Sequence, residues 1–497
     1  MRSLTLLSHV FLIVLCSSIG RAENDAHPPN VVLIVADDLG YHELGCYGQT
    51  KIRTPRLDRL RTEGMKFTRA YSGSPVCAPS RCVLLTGKHP GHTYVRSNRE
   101  VKPEGQLALP AAEITLAERF RAAGYTTGAF GKWGLGSPGS EGDPTHQGFN
   151  RFYGYNCQRV AHSYYPPHLW SNRDKVKLRI MPPVPGHAGL PEGADPADPK
   201  QYNQFKGTDY APDLINTEAL KFIRKHRDRP FFLYYPTVIP HLALHVPDEE
   251  LEPYLKLGWK DPPFTREKGR GYTPHFTPRA AYAAMITRMD GYVGKVLDLL
   301  DELGLTKNTI VIFTSDNGTS HVKDEVDAKF FDSLGNLRGY KGSLHEGGIR
   351  VPMLARWPGK IAKSSTSNRM VGFEDMLPTL LELTTGKGAS GSLDGASFAS
   401  TLLGKPQPKR HFLYREFAGY GGQQAVWMGN HKAIRRKLSN ENTVVKTELY
   451  DLSTDPSEQQ NLAAKHPEIV ARLEAIMSAQ HTPSTIFPLR AIDQAGE

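Results

Sequence analysis

Four short apolar runs rich in β-branched and aromatic residues constrain this chain more than any other feature. Val31–Val35, Thr126–Phe130, Phe231–Tyr235 and Ile310–Phe313 are each followed within a few residues by polar groups. Runs of this length without alternation predict strands covered on both faces. Helical patterns lie between them. Leu116, Phe120 and Ala123 mark one face of a helix that stops at Gly124. Tyr282, Met285, Ile286, Met289, Val293, Val296, Leu297 and Leu300 recur at helical spacing, with Gly304 as the stop. The alternation predicts an α/β fold, a large mixed and mostly parallel sheet flanked by helices. An open sheet of this kind places its ligands at the carboxyl ends of its strands. Asp37-Asp38 and Asp316-Asn317-Gly318 fall at two such ends.

A chain of 497 residues is long enough for two domains, one of them large. Residues 1–22 read as an export signal: Arg2, an apolar stretch from Leu4 to Ile19 broken by serines and His9, then Gly20-Arg21-Ala22. That stretch is too short and interrupted for stable membrane insertion, so the expected location is exported, periplasmic or secreted. Residues 23–385 read as the α/β domain. A Gly/Ser/Lys-rich link near Thr385–Ser392 leads into residues 386–497, a small α+β domain with an antiparallel sheet and a last helix around Pro467–Ala479. Two stretches, Met181–Lys200 and Pro253–Pro278, read as long surface loops, either substrate-shaping or ornamental.

Removal of Arg2 and Arg21 with the signal takes the net charge from +10 to +8. A positive field suits an anionic substrate, though solubility alone also accounts for it. No basic run interleaved with aromatics stands out, which argues against a nucleic-acid partner. Of the five cysteines, Cys16 leaves with the signal. Cys46, Cys77, Cys82 and Cys157 do not make a disulfide scaffold, and the sequence leaves open whether any pair forms among Cys46, Cys82 and Cys157. Zinc is excluded around Cys77 and Cys82, which lack partners at ligand spacing. The oligomeric state is not readable from the sequence.

The stretch Cys77-Ala78-Pro79-Ser80-Arg81 reads C-x-P-S-R. Asp37-Asp38, Gly131-Lys132-Trp133, Pro240-His241, Asp316-Asn317-Gly318, and Lys341-Gly342 with Glu346-Gly347-Gly348 accompany it in order. Glu448-Leu449-Tyr450-Asp451-Leu452, Asp455-Pro456 and Asn461-Leu462 close the series. Taken together these motifs resemble the type I, formylglycine-dependent sulfatases, the arylsulfatase-like branch of the alkaline phosphatase superfamily. The resemblance covers nearly all of the chain after its first residues. It implies an alkaline phosphatase-like fold and a sulfuric ester hydrolase. Cys77 would be oxidised to formylglycine by a formylglycine-generating enzyme, and the hydrated aldehyde would be the nucleophile.

Asp37, Asp38, Asp316 and Asn317 offer only oxygen ligands. These suit a hard divalent cation, Ca2+ ahead of Mg2+. Asp-Asn-Gly is also a common metal-free turn. By resemblance the cation also meets residue 77, where a plain thiol would be a poor match for a hard ion. Arg81 would hold the diol. Lys132 and Lys341 match lysines that contact the sulfate and stabilise developing charge. His241 matches the histidine that protonates the leaving alcohol. The family often shows Gly-Lys-Trp-His-Leu-Gly, whereas this chain has Gly134 in the fourth place. His162, in a segment near the site in related sulfatases, is the candidate replacement and a candidate substrate contact; an ordinary structural histidine is the alternative. The expected substrate is a sulfated carbohydrate. Two other functions stay open: a phosphodiester or phosphonate monoester hydrolase of the same superfamily, and a catalytically silent sulfated-glycan-binding protein, which Gly134 alone makes worth weighing.

Overall fold

The computed structural model describes residues 27–179, 183–266, 271–320, 325–388 and 391–493, so the segment read as an export signal lies outside the described residues. An eleven-stranded sheet runs through the larger part. Its strands are β1 (Asn30–Ala36), β2 (Met65–Tyr71), β3 (Thr126–Lys132), β4 (Arg151–Tyr155), β5 (His168–Ser171), β6 (Asp174–Lys177), β7 (Phe231–Pro236), β8 (Thr309–Ser315), β9 (Arg350–Arg356), β10 (Ser365–Ser367) and β11 (Val371–Gly372). The order is β10-β2-β9-β8-β1-β7-β3-β4-β5-β6, with β11 beside β2. The five strands β8, β1, β7, β3 and β4 are mutually parallel. Antiparallel pairs flank them: β9 against β8 and β2 on one side, β5 against β4 and β6 on the other. The sheet is therefore mixed and mostly parallel, as the runs predict.

Strand β1 shows why the runs do not alternate. Successive side chains point to opposite faces, and both faces are covered. Val31, Leu33 and Val35 enter one core with α2 (Cys77–Thr86), α3 (Leu116–Ala122) and α8 (Met376–Thr385). Val32, Ile34 and Ala36 enter the other with α1 (Pro55–Thr62), α4 (Ala211–Lys225) and α6 (Pro278–Glu302). The helical positions named along α6 are all buried. In α3 a capping box between Thr115 and Glu118 sets the start. Leu116 and Phe120 are buried, but Ala123 is exposed, because the helix has ended by then. The second long loop is also shorter than its composition suggests: Pro253 lies inside α5 (Asp248–Leu255).

Beyond the short helices α7 (Glu346–Ile349) and α9 (Ala399–Leu402), a four-stranded antiparallel sheet runs β12 (Leu413–Phe417), β13 (Gln423–Met428), β14 (His431–Arg436), β15 (Thr447–Asp451). Tyr414, Val426, Ala433 and Leu449 on one face pack on Leu473 and Met477 of α10 (Pro467–Gln480). Leu413, Ala425, Trp427 and Ile434 on the other pack on Tyr71, Val76, Leu344 and Ile349. Polar groups pin the same junction. Lys432 Nζ lies 3.1 Å from Glu346 and 2.8 Å from Glu458, and all three side chains are fully buried. Removing one member of a buried ion cluster leaves the others uncompensated. Lys432→Ala is therefore expected to lower stability by about 3–5 kcal/mol, read as a fall in the denaturant midpoint. A loss within the surface-pair range, below about 1 kcal/mol, would contradict this.

Candidate active site

Backbone continuity at the ends of β1 and β8 builds the centre. Asp316 N donates to Ala36 O at 2.9 Å, and Asp37 N donates to Ile239 O at 3.1 Å. The ladders thus carry Asp37 and Asp316 to the same sheet edge. Asp38 takes a left-handed backbone, φ 66°, and its N–H donates to Asp316 Oδ1 at 3.2 Å. Asn317 Nδ2 donates to Asp38 Oδ1 at 2.8 Å and to Gly318 O at 2.9 Å. Its Oδ1 is buried without a hydrogen-bond partner.

Helix α2 begins at Cys77, with extended Val76 before it. Pro79 fits the first turn, where no intrahelical N–H bond is lost. Cys77 and Arg81 stand four residues apart and so share a face. That spacing lets both reach the carboxylates. Cys77 Sγ is 3.3 Å from Asp37 Oδ1 and 3.4 Å from Lys132 Nζ. Arg81 Nη2 is 2.8 Å from Asp316 Oδ2 and 3.4 Å from Asp37 Oδ2, and its Nη1 donates to Lys132 O at 2.5 Å. The positive helix N-terminus beside Cys77 also favours an anion there.

Lysines complete the cradle. Lys132, the last residue of β3, places Nζ 2.5 Å from Asp37 Oδ2. Lys341 Nζ lies 2.7 Å from Asp38 Oδ2. His241 Nδ1 donates to Leu242 O at 2.6 Å, which leaves Nε2 facing Asp38 Oδ2 at 3.7 Å. His162 lies flat against His241, ring centroids 4.9 Å apart and planes 7° apart. Every site residue singled out from the sequence thus lies in one cluster, with Asp316 and Asn317 joined to it through Asp38 and Arg81. Ligand atoms of Asp37, Asp38, Cys77 and His241 fall within 4.8 Å of one another.

The electrostatics follow from burial. For Asp37, burial alone would raise the pKa, but Lys132, His241, Arg81 and Lys341 outweigh it and hold the carboxyl far below its usual range. Asp38 is raised by burial and by Asp37, against Lys341. Burial, then Asp37, pushes Asp316 up to about 7, against Arg81. Three buried carboxylates so crowded fit a centre that holds a further cation. The orphaned Asn317 Oδ1, a buried oxygen on a side chain bonded to Asp38, fits the same role. Burial, then Asp37, also pushes the Cys77 thiol up to about 12. A thiol in that state is protonated at neutral pH and is not a nucleophile.

The Sulfatase family model matches residues 29–387. The chain belongs to the sulfatase family. A second model, N-sulphoglucosamine sulphohydrolase, C-terminal, matches residues 339–482 of this sulfatase. Human arylsulfatase A is 34% identical, over 91% of this chain and 87% of that one. N-acetylgalactosamine-6-O-sulfatase of Bacteroides thetaiotaomicron is 30% identical, over 97% and 99%. Among solved structures, Ps i-CgsB in complex with k-i-k-neocarrahexaose superposes with a TM-score of 0.72 at 25% identity, covering 91% of this chain and 92% of that one. The sulfatase is thus an enzyme of sulfate-ester hydrolysis. None of its helices among the described residues is long and apolar enough to cross a membrane. No disulfide occurs among the described residues, and Cys46, Cys77, Cys82 and Cys157 are all free.

At position 134, where the family often carries a histidine, the packing is tight. Gly134 has φ 85°, and a Cβ there would sit 2.2 Å from Gln158 Nε2. Gln158 therefore fills the space of the absent side chain, buried, with both amide atoms unpartnered. Sequence reasoning missed Gln158, as it missed His187 and Tyr272, which surround His162. His187 Nε2 lies 2.8 Å from His162 Nδ1. The Tyr272 ring stands edge-on to both His162 and His241, at 5.2 and 5.6 Å. Both residues come from the long loops, whose Pro, Gly and charge content signals a loop but not its destination.

Proposed function

We propose that this sulfatase removes sulfate from a sulfated carbohydrate, using an aldehyde residue matured from Cys77 and one divalent cation, Ca2+ ahead of Mg2+. The observation that supports it best is the convergence on Cys77 of Asp37 and Lys132, with Lys341 and His241 on the adjoining Asp38. The substrate class rests on the carbohydrate sulfatase and the oligosaccharide complex among its relatives. Asp37, Asp38, Asp316, Asn317 and residue 77 would hold the cation, which supplies a Lewis acid and a template for the sulfate. The formylglycine-generating enzyme would supply an aldehyde whose hydrate offers one hydroxyl to attack sulfur and a second for release. Export after cleavage of residues 1–22 belongs to the same reading.

The chain's own residues carry the remaining tasks. Lys132 and Lys341 bind the sulfate oxygens and stabilise the charge that grows as the ester bond breaks. Arg81, one helical turn from residue 77, braces Asp37, Asp316 and the Lys132 carbonyl and would hold the hydrated aldehyde. His241 gives a proton from Nε2 to the leaving alcohol. Burial, with Lys341 and Lys132 nearby, holds its imidazole well below the ordinary value. An anionic sulfate seated between those lysines offsets their charge and restores its proton affinity.

An acid matters most for a poor leaving group. His241→Ala is expected to slow hydrolysis of a sugar sulfate by about 10^2–10^4-fold, the usual yield of general acid catalysis. An aryl sulfate, whose phenolate leaves unaided, loses less than about tenfold by the same logic. Equal losses on both substrates would remove His241 from that role. The function itself is tested with sulfate and phosphate esters of one sugar: faster sulfate release is expected, and faster phosphate release would favour the phosphohydrolase reading.

A further inference from the structure

We propose that His187 is a positioning residue that fixes the tautomer of His162, so that His162, stacked on His241, carries its lone pair on Nε2. This rests on the sulfatase reading above. The Nδ1 of His187 faces the carbonyl oxygen of Gly271 at 3.0 Å. A carbonyl only accepts, so that nitrogen carries the proton. In the neutral ring Nε2 is then an acceptor, and it lies 2.8 Å from His162 Nδ1. His162 must donate from Nδ1, which leaves its Nε2 as the lone-pair nitrogen. The stack on His241 fixes the plane of the His162 ring. Tyr272, stacked on His187 at 4.6 Å and edge-on to His162, holds the pair from the side.

The chain of bonds Gly271 carbonyl–His187–His162 joins the two long loops to the catalytic edge of the sheet. It orients a base the way a buried acceptor does in other histidine relays. Burial first, then His241 and Lys132, hold the His162 imidazole well below its ordinary value. In the release step it would take the proton of the second hydroxyl at residue 77 as the C–O bond to sulfate breaks, the carbonyl re-forms and sulfate leaves with the bonding electrons, while His187 Nε2 accepts the hydrogen bond from the charged ring. The half-buried ring then returns that proton to water. This is base work of the kind a histidine at position 134 would otherwise do, supplied from a different element.

The test begins with the tautomer, which does not depend on turnover. Two-bond 1H–15N couplings are recorded on the full chain labelled at histidine, with the His162 signals among the 19 histidines assigned by difference against His162→Gln. His162 is expected in the Nδ1–H form. His187→Ala should shift it toward the Nε2–H form, and His187→Gln, whose amide can accept from His162 and donate to Gly271, should restore Nδ1–H. In kinetics His187→Ala should lower kcat roughly ten- to a hundredfold, as losing an orienting partner does, with KM little changed, and His187→Gln should recover most of it. An Nε2–H tautomer in the unaltered protein, or a tautomer and kcat that His187→Ala leaves unchanged, would overturn the proposal. Absence of sulfatase turnover in the unaltered protein would instead count against the function, leaving the tautomer result to stand by itself.

Discussion

Cys77→Ala should abolish sulfate release, with a loss of at least about 10^4-fold, the scale on which removal of a covalent nucleophile acts. The fold should survive. Cys77 is a small buried side chain at the first turn of α2, and truncating it removes a single atom from the core. Its neighbours are what make it functional. An unmodified thiol would meet Asp37 and Lys132, in a centre of hard oxygen ligands that match an oxygen at residue 77 far better than sulfur. Cys77→Ser places an oxygen there but only one hydroxyl, so it should not recover the activity. Measurement of kcat/KM on a sugar sulfate, with circular dichroism as the control, checks both. Turnover within about tenfold of the unaltered protein in Cys77→Ala would exclude residue 77 as nucleophile by the same arithmetic.

The second large effect concerns the cation. Asp316→Ala should lose bound metal and activity together. Asp316 is fully buried, and its two oxygens serve the Asp38 amide and the Arg81 guanidinium. Its loss removes a ligand and also frees Arg81, leaving a buried guanidinium whose remaining carboxylate contact is Asp37 at 3.4 Å. Metal content after exhaustive dialysis, measured by mass spectrometry, should fall from about one calcium per chain to nearly none. Added calcium should raise the Tm of the metal-depleted parent protein, by the equivalent of about 4 kcal/mol at a thousandfold excess over Kd. It should leave the Tm of the variant unmoved. Normal metal content with normal turnover in Asp316→Ala would refute the ligand assignment.

The centre of the sheet was legible in the sequence because both of its faces are covered. Val31–Val35 could be read as a buried strand, and the polar residues beyond it then had to sit at the sheet edge. The outer strands were not readable in this way. His168–Ser171 buries only its two central residues and Asp174–Lys177 is mostly exposed, so neither short strand shows an apolar period. Asp37 and Asp38 were legible because they follow a buried run and so sit at a strand end, whereas Cys77 and Arg81 were legible only through the resemblance of C-x-P-S-R, and the helical turn that puts them on one face came with the structure. His187 and Tyr272 were not, since a loop's course depends on tertiary contacts that local composition does not encode. Gly134 carried half a signal. The sequence showed that a side chain was absent, and only the packing showed that Gln158 occupies its place.

The central claim is that Cys77 is the precursor of the reactive group, and the mass of the tryptic peptide Ala70–Arg81 tests it most directly. In protein made with a formylglycine-generating enzyme and fully active, that peptide should carry an aldehyde oxygen in place of the cysteine sulfur. It should also react with a hydrazide reagent. An unmodified thiol at residue 77 throughout fully active protein would contradict the account.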